Sequence, residues 1–143
     1  MVRRAQQGKR ALQRARDETE RQLGSDKGSY RPPPREVCDP KSWYQTFDDA
    51  STVRVSIMLW RQNGRLVDFV ILVESSAWNA WTEVSRIDCC HGFCHVHRPG
   101  REAEQESLMR LDTIDDVEPA QRLASQTAEQ IARTLRDRGV DHD

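Results

Sequence analysis

The sequence predicts an α+β domain: an antiparallel β-meander of four to five strands with a C-terminal amphipathic helix packed on one face, plus an N-terminal helical arm. Three observations carry this. Residues 52–60 alternate apolar and polar with period two and lead into Asn63-Gly64, the favoured type I′ turn pair. Three further extended segments bounded by turn residues follow, and a fourth at residues 105–111. Beyond Pro119, apolar residues recur at helical spacing.

In the first strand Val53, Val55, Ile57 and Leu59 share one face, and Arg54, Ser56, Met58 and Trp60 the other. Residues 66–74, rich in Val, Ile, Leu and Phe, return as its hairpin partner. Residues 75–80 form a loop and 81–88 resume an extended pattern. His91-Gly92 then turns the chain into 93–98, which Pro99-Gly100 closes. Residues 105–111 supply a fifth strand. Leu123, Ala124, Thr127, Ala128, Ile131 and Leu135 mark the buried stripe of the helix, with Pro119 suited to its first turn and Gly139 to its stop. The chain thus divides into a basic helical arm (1–24), a Gly/Ser/Pro-rich linker (25–34) ending in Pro32-Pro33-Pro34, a single α+β domain (35–139) and a short tail (140–143).

Composition agrees with a single core. Of 143 residues, 36% are hydrophobic and 31% charged, so the apolar material must be concentrated, and it lies between Val53 and Val96. The net charge of -1 conceals a basic start, with nine Lys/Arg against four Asp/Glu in residues 1–31, and an acidic end, with six against eleven in residues 101–143. The arm, residues 3–22, can reach nucleic acid or an acidic partner, or neutralise the chain's own acidic end. The opening Met-Val-Arg-Arg-Ala-Gln-Gln lacks a signal-type apolar core, and no run of about 18 apolar residues occurs, so a cytoplasmic protein with no membrane association is expected.

Chemistry concentrates in Asp88-Cys-Cys-His-Gly-Phe-Cys-His-Val-His97, which holds three of the four His and three of the four Cys. With His91-Gly92 as a two-residue turn, Cys90 opposes Phe93, Cys89 opposes Cys94, Asp88 opposes His95, Ile87 opposes Val96 and Arg86 opposes His97. Opposed residues share a face. One face collects Ile87, Val96, Cys89 and Cys94, suited to a core; the other collects Arg86, Asp88, His95 and His97. A slip of one residue would bury the charges, so the segregation itself specifies the register.

His95 and His97 are then about 7 Å apart along the strand, and the Cβ atoms of Asp88 and His95 about 5 Å apart across the ladder. Two chemistries fit. Asp88, His95 and His97 can ligate a divalent metal while leaving positions open for water or substrate. Alternatively Asp88 fixes the tautomer of His95 while Arg86 neutralises a phosphate, which gives metal-free acid/base chemistry on a phosphodiester. Against both stands the plain alternative that a cross-strand Asp–His pair only stabilises the hairpin. Cys90, His91, Cys94 and His95 are zinc-type ligands, but alternation sends neighbours to opposite faces, and no second Cys pair follows. Cys89 and Cys94 are expected as packed thiols that oxidation can join. Trp43, Trp60, Trp78 and Trp81 line either a core or a base-stacking surface.

The pattern Asp88-x-x-His91-Gly92-x-x-His95-x-His97, followed by a strand and an amphipathic helix, resembles the TumE-type toxins of bacterial toxin–antitoxin pairs. The resemblance implies a small prokaryotic toxin neutralised by a small antitoxin-like protein partner, with Asp88, His91, His95 and His97 as the motif positions. It brings His91, otherwise a turn residue, into the candidate site. Cys at positions 89, 90 and 94 and the long basic arm depart from the pattern. The resulting expectation is an RNA- or nucleotide-directed hydrolase or transferase. The alternative is a non-catalytic partner-binding protein with a structural or metal-held Cys/His hairpin.

Overall fold

The structure is a computed structural model that describes residues 27–140 apart from Trp78 and His91. Six strands form one antiparallel sheet in chain order: β1 (Asp39–Thr46), β2 (Val53–Gln62), β3 (Arg65–Ala77), β4 (Ala80–Cys90), β5 (Phe93–Arg98) and β6 (Arg101–Arg110). A 3-10 turn (Ile114–Asp116) and the α-helix α1 (Val117–Val140) follow them. The α+β meander with a C-terminal helix is therefore present, but with six strands rather than four to five. The additional strand is β1. Every residue in it is exposed and it contains Pro40, so it has neither the buried alternation nor the composition that marks a strand in a sequence. As an edge strand it tolerates both. The helical arm expected at residues 1–24 lies outside the described residues.

The helix packs on the face expected from the alternation. Val53, Val55 and Leu59 of β2, Phe69, Ile71 and Val73 of β3, Ile87 and Cys89 of β4, and Cys94 and Val96 of β5 form the sheet side of the core. Ala120, Ala124, Ala128 and Ala132, all fully buried, form the helix side together with Val117 and Ile131. The small side chains let α1 lie close to a sheet whose own residues are bulky and branched.

Residues 28–34, expected as a linker, dock on the end of this sheet. The Gly28 amide donates to the Gly92 carbonyl at 2.6 Å, and the Tyr30 amide to the Leu111 carbonyl at 3.1 Å. Tyr30 is buried within the core, and its hydroxyl donates to the Val67 carbonyl at 2.5 Å. Burial, the neighbouring Cys89 and the charge of Asp68 hold its phenol above the usual tyrosine range. The strand β1 follows a short 3-10 turn at Arg35–Val37, so this strap runs from the β4–β5 turn and the end of β6 across to the start of β3. It closes the end of the sheet on which the candidate hairpin turns.

Candidate functional site

The β4–β5 register is the one expected from a two-residue turn at His91-Gly92: Arg86↔His97, Ile87↔Val96, Asp88↔His95, Cys89↔Cys94 and Cys90↔Phe93. Gly92 has a φ of 86°, and a Cβ there would lie 2.1 Å from the Gly28 carbonyl oxygen. Only glycine serves both the turn and the strap that crosses it. On β5–β6 the ladder shifts register between Cys94 and His95 and again between Val96 and Arg98. Such irregularities locally re-aim side chains, and here they flank both histidines.

Asp88 joins the site together. Its Oδ1 accepts from His95 Nε2 at 2.6 Å, and its Oδ2 accepts from Arg86 Nε at 3.0 Å. Burial pushes the Asp88 carboxyl up, but the His95 hydrogen bond and charge and the Arg86 guanidinium outweigh it and hold the group below the ordinary carboxylate value. Arg86 also lies 3.5 Å from Glu83 and keeps an exposed side chain. His95, at 2% exposure, is buried, whereas His97 is half-buried; their rings meet edge to face at 5.1 Å. Phe93 packs on the other side of His95 with ring centroids 4.9 Å apart. The buried Ser85 hydroxyl donates to the His97 carbonyl at 2.5 Å, which ties the backbone of that residue to β4.

Of the candidate residues, the structure therefore brings Arg86, Asp88, His95 and His97 together, while His91 lies outside the described residues. Cys89 and Cys94 are buried thiols on the helix-bearing face, so of the zinc-type ligands alternation sets Cys94 on the face opposite His95. Among the described residues no group of three or more His, Cys, Asp or Glu is arranged to hold a metal ion. The donor geometry is that of a carboxylate–imidazole pair with a guanidinium on its second oxygen. Such a pair orients a ring and fixes its tautomer.

One residue was not singled out from sequence. Asp68 of β3 stands on the same face, two residues from Val70, the partner of Asp88. It is buried; its Oδ2 accepts from Arg35 Nε at 2.9 Å and its Oδ1 from the Phe69 amide at 2.8 Å. Burial raises its carboxyl above the usual range, Arg35 opposes the rise, and the negative charge of Asp88 adds to it. Two carboxylates on one face thus lie in environments that push their proton affinities apart. The available signal was its place as the lone acid in the apolar run 66–73.

The same face carries stacked cations and aromatics. The Arg35 guanidinium lies 4.0 Å from the Trp60 ring centroid, and that of Arg54 lies 4.0 Å from Trp81 and 5.0 Å from Tyr44. Arg54 Nε also meets Glu74 at 3.1 Å, and the Ser56 hydroxyl bonds the same carboxylate oxygen. Cross-strand register sets Tyr44, Ser56, Leu72, Arg86 and His97 in one row, so Arg54 and Ser56 share the site's face but are two strands from Arg86. None of Trp43, Trp60 and Trp81 belongs to the buried core. No helix of the described residues is long and apolar enough to cross a membrane, which says nothing of crossing by strands.

No curated protein and no solved structure matches the chain. A family model does, over residues 36–138, a span that takes in all six strands, most of α1 and every candidate residue on this face except Arg35. The chain belongs to the family described as a domain of unknown function, DUF7718.

Proposed function

We propose that this chain is a toxin-like enzyme of a prokaryotic toxin–antitoxin pair, acting on RNA or a nucleotide, and held in check by a small protein partner. The observation that carries the catalytic part is Asp88, which bridges His95 at 2.6 Å and Arg86 at 3.0 Å beside the ring of His97. His97, the less buried of the two histidines, is the group that takes or gives a proton at the substrate. Asp88 and the buried His95 are positioning residues: they fix the rings and place a negative charge where an imidazolium would form. Arg86, with Nε committed to Asp88 and Nη1 beside Glu83, offers its Nη2 donors to a phosphate oxygen. The toxin role and the antitoxin-like partner rest on the Asp88-x-x-His91-Gly92-x-x-His95-x-His97 pattern.

The test is induced expression in a bacterial host, read as growth arrest and cleavage of cellular RNA. His97→Ala and Arg86→Ala are expected to abolish both while leaving the fold intact. Full growth inhibition and RNA cleavage by His95→Ala and His97→Ala variants would show the assignment to be wrong.

The near-complete burial of His95 favours a second reading, in which Asp88–His95 is a structural cross-strand pair and the sheet face binds a protein partner without catalysis. On that reading His95→Ala lowers stability and His97→Ala changes neither growth nor RNA, whereas affinity purification of the full chain still recovers the partner.

A further inference from the structure

On the helix-bearing side of the sheet, away from the Asp88–His97 face, a groove of about 350 Å³ opens between α1 and the β5–β6 turn. Arg98 and Arg101 reach it from the two strands, Arg138 from the last turns of α1, and Ile131, Thr134 and Leu135 from the helix between. No carboxylate lines it among the described residues. Arg98 is held by Glu106, Nε to Oε2 at 2.6 Å, so that its charge is balanced. Among the described residues no ion pair engages Arg101 or Arg138, although the charge of Arg101 contributes to holding Glu106 below its ordinary range. The groove therefore gathers three guanidinium groups around an apolar floor of Ile131 and Leu135: Arg98 bound to Glu106, Arg101 near that same carboxylate, and Arg138 in no ion pair among the described residues.

We propose that this groove is a nucleotide-binding site, separate from the candidate catalytic face and independent of it. Its volume falls in the range of about 300–1,000 Å³ typical of small-molecule sites. Guanidinium groups recognise phosphate through parallel N–H donors, and three at one rim suit a chain of phosphates better than a single carboxylate. The apolar floor supplies the surface for a base or sugar, which a bare polyanion would not use. The Thr134 hydroxyl donates its proton to the Gln130 carbonyl at 2.9 Å, which leaves its oxygen able to accept from a ribose hydroxyl.

The test is calorimetric titration of the full chain with ATP, adenosine and tripolyphosphate. ATP is expected to bind, with adenosine and tripolyphosphate each at least about tenfold weaker, because phosphate and apolar contacts are both needed. The Arg101→Ala/Arg138→Ala double variant should lose about tenfold or more in ATP affinity, and Arg133→Ala, which faces a different groove, should not. Absence of ATP binding, or undiminished affinity in the double variant, would overturn the site. Tripolyphosphate or adenosine binding as tightly as ATP would overturn the nucleotide assignment. His97→Ala should bind ATP normally, so loss of the catalytic reading leaves this one standing, and the reverse.

Discussion

Asp88 shows how one carboxylate sets the character of the site. Its two oxygens are shared between an imidazole and a guanidinium, and those partners overcome the burial that would otherwise favour the neutral acid. A carboxyl held below its ordinary value of 3.8 contributes stability that is present above that value and is lost as the pH falls through the lower value of the folded state. Asp88→Asn is accordingly expected to cost about 1–3 kcal/mol at neutral pH, since it leaves a buried donor facing another donor. The difference from wild type should shrink below pH 3.8, which urea unfolding across the acid range measures. Asp68 works with the opposite sign because burial raises its carboxyl, so the difference between the two proteins, not the wild-type acid limb alone, isolates Asp88. The four grouped residues were legible in the sequence because a two-residue turn at His91-Gly92 leaves only one register that keeps Arg86, Asp88, His95 and His97 off the core. The burial of His95 was not. It depends on Phe93 and on neighbours across the sheet, and periodicity along one strand cannot report those. Asp68 was missed for a related reason: a single acid in an apolar strand reads as an interruption until its partner Arg35, 33 positions away, is placed beside it.

At the scale of elements, the β4–β5 hairpin is fixed at its tip as well as along its ladder. Gly92 adopts a left-handed conformation, accepts from both the Gly28 and Leu111 amides, and leaves no room for a Cβ. Gly92→Ala is expected to destabilise the fold by about 2–4 kcal/mol, combining backbone strain with displacement of the strap. Thermal unfolding checks this, and Gly64→Ala is the control: Gly64 also has positive φ, but nothing lies near its missing side chain. The alternation of β2 mirrors its position over α1, with Val53, Val55 and Leu59 buried. The exposed edge strand β1 carries no such imprint, because an edge without a covering layer places no apolar demand on its residues.

Across the whole molecule, the sheet separates two kinds of chemistry. One face is sealed by the alanine-rich stripe of α1, and the other gathers Asp68, Arg86, Asp88, His95, His97 and the Arg–aromatic stacks. The strap from Gly28 to Arg35 ties both together, since Tyr30 enters the core while Arg35 meets Asp68 and Trp60. Tyr30→Phe should cost about 1 kcal/mol through loss of the bond to the Val67 carbonyl, and Tyr30→Ala about 3–5 kcal/mol through the cavity it leaves, both read by denaturant midpoints. A sequence-based boundary at Arg35 follows from composition, because Gly, Ser and Pro mark chains that lack regular structure; it does not follow that such a segment makes no contacts.

The central claim is that the Asp88–His95 pair serves a working His97. The most direct measurement is the rate of RNA cleavage by purified wild-type and His97→Ala proteins under single-turnover conditions, with circular dichroism confirming equal folding. A loss of about a hundredfold or more is predicted, the usual scale for removal of an acid/base group. Equal rates for the two folded proteins, or no cleavage of cellular RNA by the wild type, would contradict it.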